Sequence, residues 1–374
     1  MNIADFGLKP KPFSLLPTDS SVQLWAGMPD VKRKLEDIVS SVRPDDIGTQ
    51  EFVVVYGTLG GGKTHALRYF KRQIDATHDS YAFYIGKVRR SNKLSFFDMY
   101  CSIISENSEI LPLLAEKVVA AVNAEIRIAR ESGKYPDLGD SEFRRAIIKD
   151  TVAPNDVALV EALMESSPAN IDVLLTNKKL ASDDYSAACT LSSLVGLMTR
   201  NIGSQQSPYK AAYLFFDEVE DALEAKYPEL RMFFSALREF VNRTADYHCA
   251  IICSFTMEAA VLEAQIPSFL MDRLTRPFME MRDLNPEEAK EFVKDYLPSV
   301  LTSKVVPTSA FFPFTEETIE FLLNMERHVV PRKLLRAMGQ VFERAMRRGK
   351  INPGEEITPE MAEEILVEMG GMPT

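Results

Sequence analysis

The stretch "EFVVVYGTLGGGKTHALRYF", residues 51–70, passes from an apolar run through a cluster of glycines to a lysine, a threonine and a helical pattern. Residues 52–56 are five apolar or aromatic side chains, three of them valine, which is typical of a strand buried on both faces of a parallel sheet. The next eight residues fit the phosphate-loop pattern GxxxxGK[ST] at every fixed position. The alternative is an ordinary glycine-rich turn, but the strand before it and the helical pattern after it, roughly Lys63 to Asp75, favour a phosphate loop.

This loop predicts nucleotide binding. Glycines let the backbone turn its N–H groups toward an anion, since no Cβ intervenes. Lys63 is expected to reach the β- and γ-phosphates of ATP, and Thr64 to hold Mg²⁺. The helix that follows directs its positive end at the phosphates. The predicted nucleotide-contacting residues are Gly57, Thr58, Leu59, Gly60, Gly61, Gly62, Lys63, Thr64 and His65.

A second motif, "YLFFDEVE" at residues 213–220, indicates what happens to the phosphate. An apolar strand that ends in Asp-Glu supplies one carboxylate to Mg²⁺ and a second one beside an attacking water. Asp217 is the predicted metal ligand, and Glu218 is predicted to orient or deprotonate the water, so that the reaction is hydrolysis. The alternative is an acidic loop after a buried strand.

Composition excludes several classes of protein. Hydrophobic residues make up 46% of the 374 residues and charged residues 26%, which is typical of a soluble globular protein. No run approaches eighteen apolar residues, and the N-terminus lacks the apolar core of a secretory signal. Cys249 and Cys253 lie on one face of an apparent strand and are expected to be buried free thiols. We therefore expect a cytoplasmic protein with no membrane association.

The net charge of the chain does not decide whether its partner is a nucleic acid. The net charge of −11 argues against general coating of nucleic acid, but not against a local basic patch. Four cations within seven residues follow a predicted strand, Tyr81 to Ile85, and are candidates for contacts with DNA: Lys87, Arg89, Arg90 and Lys93. The alternative is a solvated loop.

The pattern along the chain predicts an α/β fold, with a parallel sheet sandwiched by helices. Two further strands are predicted at Ala211–Phe216 and His248–Phe255. A helical insertion is predicted at about residues 107–182, with Asp140 or Ser141 capping one of its helices. Asn285 is expected to cap another helix, with Pro286 in its first turn. The predicted domains are an N-terminal arm and adenine-side segment (1–48), a nucleotide-binding domain (49–282) and a helical lid (283–374).

With these motifs the chain resembles the AAA+ P-loop ATPases, nearest the origin-recognition initiators, ExeA-type secretion ATPases and transposition-regulator (TnsC-like) ATPases. The opening "FGLKPKPFSLLPTDS" followed by "LWAGMPDVKRKLEDIV" resembles the family segment that packs on adenine. In it Gly27-Met28-Pro29-Asp30 replaces the usual glycine-arginine-glutamate. Trp25 or Leu24 is then placed to stack on the base, the alternative being simple packing.

The resemblance implies three further site residues. "CAIICSFT" resembles the strand that senses the γ-phosphate, with Thr256 the match and Ser254 the alternative. "FLMDRLTRPF" resembles the segment that supplies an arginine finger to a neighbouring subunit, with Arg273 the match and Arg276 the reserve. "VVPRKLLRAMGQVFERA" resembles the lid helix, and places Arg332 on the γ-phosphate, although Val329-Val330 stand where the family usually has a glycine.

Three functions compete at this level. The first is an ATP-hydrolysing regulator that forms a homo-oligomer, a ring or filament, on double-stranded DNA and recruits an unknown protein partner. The second is a regulatory, defence or signalling switch that acts through protein partners without DNA. Too few residues follow the lid for the winged helix of initiators, which favours the shorter transposition or secretion type. The third, a small-molecule phosphotransferase, needs neither the Asp-Glu pair nor a second arginine.

Overall fold

The computed structural model describes residues 2–15, 21–44, 50–88, 93–167, 170–302, 307–325 and 329–369. Two short 3₁₀ helices, Ile3–Phe6 and Ser21–Gln23, precede the first α-helix. The strands are β1 (Gln50–Gly57), β2 (Tyr81–Ile85), β3 (Ala212–Phe216), β4 (Cys249–Phe255) and β5 (Met279–Met281). The α-helices are α1 (Pro29–Ser41), α2 (Lys63–Asp75), α3 (Phe96–Glu106), α4 (Leu111–Glu131), α5 (Asp140–Thr151), α6 (Val157–Glu165), α7 (Ile171–Leu175), α8 (Asp184–Thr199), α9 (Glu220–Leu223), α10 (Tyr227–Arg243), α11 (Ala259–Gln265), α12 (Ser268–Met271), α13 (Pro286–Val300), α14 (Glu316–Asn324), α15 (Pro331–Arg347) and α16 (Pro359–Glu368).

The strands form one sheet in the order β2-β3-β4-β1-β5, and the β2–β3, β3–β4 and β4–β1 pairs are parallel. Every residue of β3 and β4 is buried, as expected for strands covered on both faces. Tyr56 pairs with Phe255, and Phe216 pairs with Cys253. The carboxyl ends of β1, β3 and β4 therefore lie at the same edge of the sheet.

The predicted α/β fold is confirmed, and most element bounds agree with the sequence. α2 and β2 have the predicted bounds, and β3 and β4 each begin one residue later than predicted. Asn285 caps α13 with a reciprocal bond to Glu288, as predicted. α13 to α16 form the helical segment expected at the C-terminal end.

Six helices, α3 to α8, separate β2 from β3 within the described chain. The longest, α4, buries Leu114, Val118, Val122 and Ile126, one side chain per turn, and contacts α5 and α6. The helical content expected for residues 107–182 is therefore present. Its boundaries as an inserted domain stay a prediction.

Two details of the helices differ from the sequence analysis. Gly139, rather than Asp140 or Ser141, occupies the N-cap position of α5 and makes no side-chain cap. Asp140 lies in the first turn, where the helix dipole favours a carboxylate, and it accepts a hydrogen bond from Arg130 at 2.9 Å. Residues 224–247, for which no helix or strand was predicted, mostly form α10.

The chain divides into two compact units, each built from separated segments. The first unit comprises Met1–Arg33, Gly57–Tyr69 and Glu280–Thr374. The second comprises Lys34–Tyr56 and Phe70–Met279. In the first unit, Phe6 and Phe13 pack against Phe342 with ring centroids 5.6 and 5.9 Å apart, which fixes the N-terminal arm to α15.

Cys249 and Cys253 are buried free thiols, as predicted. Burial raises the pKa of Cys249 to about 12 and also raises that of Cys253, so both thiols stay protonated at neutral pH. Among the helices of the described residues, none has the length and apolar character needed to cross a bilayer.

Candidate functional site: a phosphate loop and an acidic strand end

The phosphate loop has a backbone conformation that favours glycine. Gly57, Gly60 and Gly62 have φ angles of 153°, 88° and 100°. A Cβ added to Gly57 would lie 2.3 Å from the carbonyl oxygen of Met281. These glycines are therefore required by the turn and, at Gly57, by the close approach of neighbouring backbone.

Lys63 closes this loop at the first residue of α2. Its Nζ donates to the carbonyl oxygens of Gly57 and Thr58, both at 2.9 Å, and the residue is only 6% exposed. The first N–H groups of a helix have no carbonyl partner within the helix, and the helix dipole makes this end attractive to anions. The loop, the lysine and the helix end thus form an arrangement suited to a phosphate, while the individual contacts stay predictions.

Arg332, predicted to reach the γ-phosphate, lies in the first turn of α15. A Cβ on Gly60 would come within 2.7 Å of the Arg332 Cβ and 3.3 Å of a Val330 methyl. The structure thus brings Arg332 and the phosphate loop together. Whether its guanidinium contacts phosphate stays a prediction.

The segment predicted to lie beside adenine packs on α2. His65 Nε2 lies 2.8 Å from the Leu24 carbonyl, and burial lowers the pKa of His65, which favours the neutral ring at pH 7. The Trp25 indole donates to the Gly27 carbonyl at 2.6 Å and meets the Tyr69 ring edge-on, with centroids 5.4 Å apart. This is the simple packing considered as an alternative for Trp25; base stacking stays a prediction.

A second cluster lies where β3 ends. Asp217 is 2% exposed, and its carboxylate accepts a hydrogen bond from the Tyr84 hydroxyl at 2.9 Å. The same carboxylate accepts a second, very short bond from Ser254. Tyr84 could not be identified from the sequence, because it is one of several aromatic residues in β2 and nothing local distinguishes it.

The Ser254 bond also distinguishes the two candidate sensors on β4. Ser254 is fully buried and donates to Asp217, whereas Thr256 follows the end of β4 and is partly exposed. Thr256 is therefore the better placed of the two to meet a ligand, and its role stays a prediction.

Glu218 differs from Asp217 in both conformation and exposure. It is an exposed residue with φ of 51°, a left-handed conformation that is uncommon for residues other than glycine and costs about 1 kcal/mol or more. The pKa of Glu218 is raised above the ordinary value, mainly because its carboxyl is partly buried and secondly because Asp217 is negatively charged. A raised pKa makes a carboxylate a better proton acceptor, which is the property expected of a general base.

The sheet relates these groups to one another. β1, β4 and β3 are adjacent and parallel, so Asp217, Glu218 and Thr256 follow strands that end at one edge. In the chain, Gly57 directly follows Tyr56 at the carboxyl end of β1. Ligands of open parallel sheets bind outside the carboxyl ends of the strands.

The two candidate arginine fingers have different surroundings. Arg276 donates through Nε and Nη2 to one oxygen of Glu51, at 3.0 and 2.7 Å. Burial would raise the pKa of Glu51, but bonds from Arg276, Thr275 and Ser41 outweigh it and lower the pKa. Arg273 is exposed, and no ion pair or hydrogen bond of its side chain is found within the part of the chain that the structure covers. Arg273 is therefore the better candidate.

Lys87, the first of the predicted DNA contacts, lies among acidic residues. Its Nζ forms an ion pair with Asp221 at 2.6 Å, and this bond raises its pKa. Arg89 and Arg90 lie outside the described residues, and Lys93 lies at the start of the next described segment. These contacts remain predictions.

The sheet order, the phosphate loop after β1 and the acidic pair after β3 define the AAA+ fold predicted from the sequence. Among solved structures, the chain is similar to the Aeropyrum pernix Orc1 protein in complex with DNA, with a TM-score of 0.52 and 12% identity over 96% of this chain and 69% of that one. The Aeropyrum pernix Orc2 protein in ADPNP–ADP complexes gives a TM-score of 0.49 and 11% identity over 95% of this chain and 72% of that one. Cdc6p from Pyrobaculum aerophilum gives a TM-score of 0.48 and 14% identity over 95% of this chain and 72% of that one. No protein-family profile and no curated protein sequence matches the chain.

Proposed function

We propose that this protein is an AAA+ regulator that hydrolyses ATP, oligomerises with nucleotide on double-stranded DNA and recruits a protein partner. One observation carries the proposal. Two parallel strands of one sheet, β1 and β3, lie on either side of β4 and end at the same edge; β1 leads into a glycine-built phosphate loop, and β3 leads into a buried aspartate followed by an exposed glutamate of raised pKa. The buried Asp217 carboxylate suits metal binding, and the exposed Glu218 carboxylate suits activation of a water molecule.

The residues present fit ATP and Mg²⁺. Three glycines of the loop have positive φ angles that other residues rarely adopt, and Asp217 is a buried carboxylate already held by two hydroxyls. Thr64 and Asp217 would hold Mg²⁺, which when bound neutralises negative charge on the phosphates. Lys63 and the loop N–H groups bind the phosphates, while Tyr84 and Ser254 keep the Asp217 carboxylate in one orientation.

Glu218 accepts the proton of the attacking water. Its exposure leaves room for that water, and its position directly after Asp217 places it at the carboxyl end of β3. Arg332 from α15 and Arg273 from a neighbouring subunit stabilise the charge that develops on the transferred phosphate.

Two observations outside the site support DNA association. The Orc1 neighbour was solved in complex with DNA, and the segment from Lys87 to Lys93 supplies four cations. Within the resemblance stated from sequence, we propose the shorter transposition or secretion subtype.

The ATPase proposal is tested by two variants. Lys63→Ala should abolish nucleotide binding or turnover, because the charge beside the phosphates is lost. Glu218→Gln should still bind ATP yet fail to hydrolyse it, because Thr64 and Asp217 are unchanged. Glu224→Gln removes one charge from the same acidic segment and serves as the control. Turnover by Glu218→Gln at the wild-type rate would show that Glu218 is not the water-activating group.

A second function is favoured by two observations, the acidic surroundings of Lys87 and the net charge of −11. In it, the protein is a regulatory or defence switch that binds a protein partner and no DNA. Binding to duplex DNA in the presence of ATP across a salt series separates the two, since only the first predicts salt-dependent affinity. Steady ATP turnover without any acceptor molecule argues against the third class, a phosphotransferase.

A further inference from the structure

Helix α15 has two distinct faces. Its apolar side chains are buried in the first unit: Leu334, Leu335, Met338, Val341, Phe342 and Ala345. The opposite side carries Lys333, Arg336, Arg344 and Arg347, which we call the basic face of α15. With 3.6 residues per turn, these four cations fall within a sector of about 80°.

The basic face is not neutralised. Lys333 and Arg336 are exposed and Arg344 is partly exposed, and within the described ranges none of the three has an ion pair. Arg347 pairs with Glu343 at 3.3 Å, but its side chain is 74% exposed, so the pair contributes little. By contrast, Arg348 and Lys350, just beyond the helix, are paired with Glu368 and Glu364 of α16.

The N-terminal arm adds a fifth cation to this surface. Lys11 is exposed, and it lines with Arg336 the same open cavity of about 480 Å³. Phe13 forms the side of this cavity that lies against Gly339 of α15. A cluster of cations is thus held on a rigid helix and its adjoining arm, in a protein whose net charge is −11.

The exposed side chains of the basic face of α15 favour duplex DNA over a membrane surface as its partner. A membrane-surface helix inserts an apolar face among lipids, but the apolar face of α15 is buried, and no large hydrophobic side chain of this helix is exposed. Lys333 and Arg347 are fourteen residues apart on one rigid helix, about 21 Å. Duplex DNA carries one charge per ~1.7 Å of its axis, so a rod of this length faces about a dozen charges.

We propose that the basic face of α15, with Lys11, binds the phosphate backbone of duplex DNA. The inference rests on the proposed DNA association and names a contact surface distinct from the segment at Lys87. Because the contacts are to phosphates, they position the protein on DNA without reading its sequence.

The test compares four purified proteins, the wild type and three variants, in the presence of ATP, using fluorescently labelled duplex DNA of mixed sequence over a salt series. The triple variant Lys333→Gln, Arg336→Gln, Arg344→Gln should lose affinity, and its log–log salt slope should fall by about 2.7 per engaged subunit. The matched control is Arg127→Gln, Lys178→Gln, Lys179→Gln, which removes the same charge from three exposed cations of the second unit that form no ion pair among the described residues. A variant with Arg336→Lys and Arg344→Lys keeps the charge and should keep most of the slope.

Each outcome has a distinct meaning. A reduced slope in the triple variant alone, with thermal melting unchanged, supports the inference. Equal binding by wild type and triple variant overturns it and leaves the proposed DNA function intact. Wild type that binds no DNA at low salt refutes both, while ATP turnover still tests the ATPase separately. Binding of wild type to phosphatidylserine vesicles but not to DNA overturns the inference in favour of a membrane surface.

Discussion

Replacing Arg273 by alanine should suppress ATP turnover without unfolding the subunit, and mixing this variant with Glu218→Gln should restore part of the activity. The fold places the Arg273 segment away from the carboxyl end of β1. Thr275 N donates to the carbonyl of Phe52 at 3.0 Å, and Phe52 lies four residues before Tyr56 in β1. At about 3.3 Å per residue, this anchor is ~13 Å from the carboxyl end of the strand. The placement favours action on a neighbouring subunit.

The size of the effect follows from this arrangement. An arginine finger contributes about 10³–10⁵ in rate, so each variant alone should be nearly inactive. In a random equal mixture, about a quarter of interfaces pair an intact Glu218 with an intact Arg273 on the neighbour, so about a quarter of the wild-type turnover should return.

Phosphate release measured at several mixing ratios, with oligomers verified by light scattering, provides the assay. Arg127→Ala removes an exposed arginine of α4 and should leave turnover unchanged. The reasoning is refuted if Arg273→Ala keeps wild-type turnover in confirmed oligomers. Absence of rescue at every ratio would instead indicate an arginine that acts within its own subunit, or Arg276.

Three other predictions concern single positions. Gly57→Ala should lower the free energy of unfolding by about 2–4 kcal/mol in chemical denaturation, because the new Cβ would lie 2.3 Å from the Met281 carbonyl; unchanged stability would contradict this packing. Glu51→Gln should cost about 1–2 kcal/mol, allowing for the one-third exposure of Arg276. The pKa of Glu51 is lowered, so its contribution is present above the unfolded pKa and is lost as pH falls through the folded value; the Gln variant should lack this acid dependence. The pKa of Glu218 is raised, so ATP turnover should begin to fall at a higher pH than the ~4.3 of an ordinary glutamate, and a profile flat to pH 4 would exclude it as the base.

The parts of the fold that depend on local signals could be predicted from the sequence. The apolar run before the phosphate loop, the glycines and the lysine lie within one short stretch, and α2 begins and ends where the pattern indicates. Asn285 and Pro286 fixed the start of α13 in the same way. In each case the residues that decide the structure are neighbours in the chain.

Interactions between distant residues could not be predicted in this way. Tyr84 and Asp217 are 133 positions apart, and their hydrogen bond depends on the parallel pairing of β2 with β3. Glu51 and Arg276 are 225 positions apart, so the sequence could not show that one of the two candidate arginines is engaged inside its own subunit. The ion pair between Lys87 and Asp221 could not be predicted either, because these residues are also far apart in the chain.

The segmented construction of the first unit has a consequence for synthesis on the ribosome. Its segment Gly57–Tyr69 is made early, yet Glu280–Thr374 emerges only after the whole of Phe70–Met279. At ~5–20 residues per second, translation of that intervening stretch takes on the order of 10–40 s, during which the phosphate loop lacks the backbone of Met281 and the side chains of α15 that pack against its glycines. A newly made chain therefore acquires its completed loop only after Glu280–Thr374 has been made, and the segment Glu280–Thr374 expressed alone would lack the N-terminal residues on which Phe342 packs.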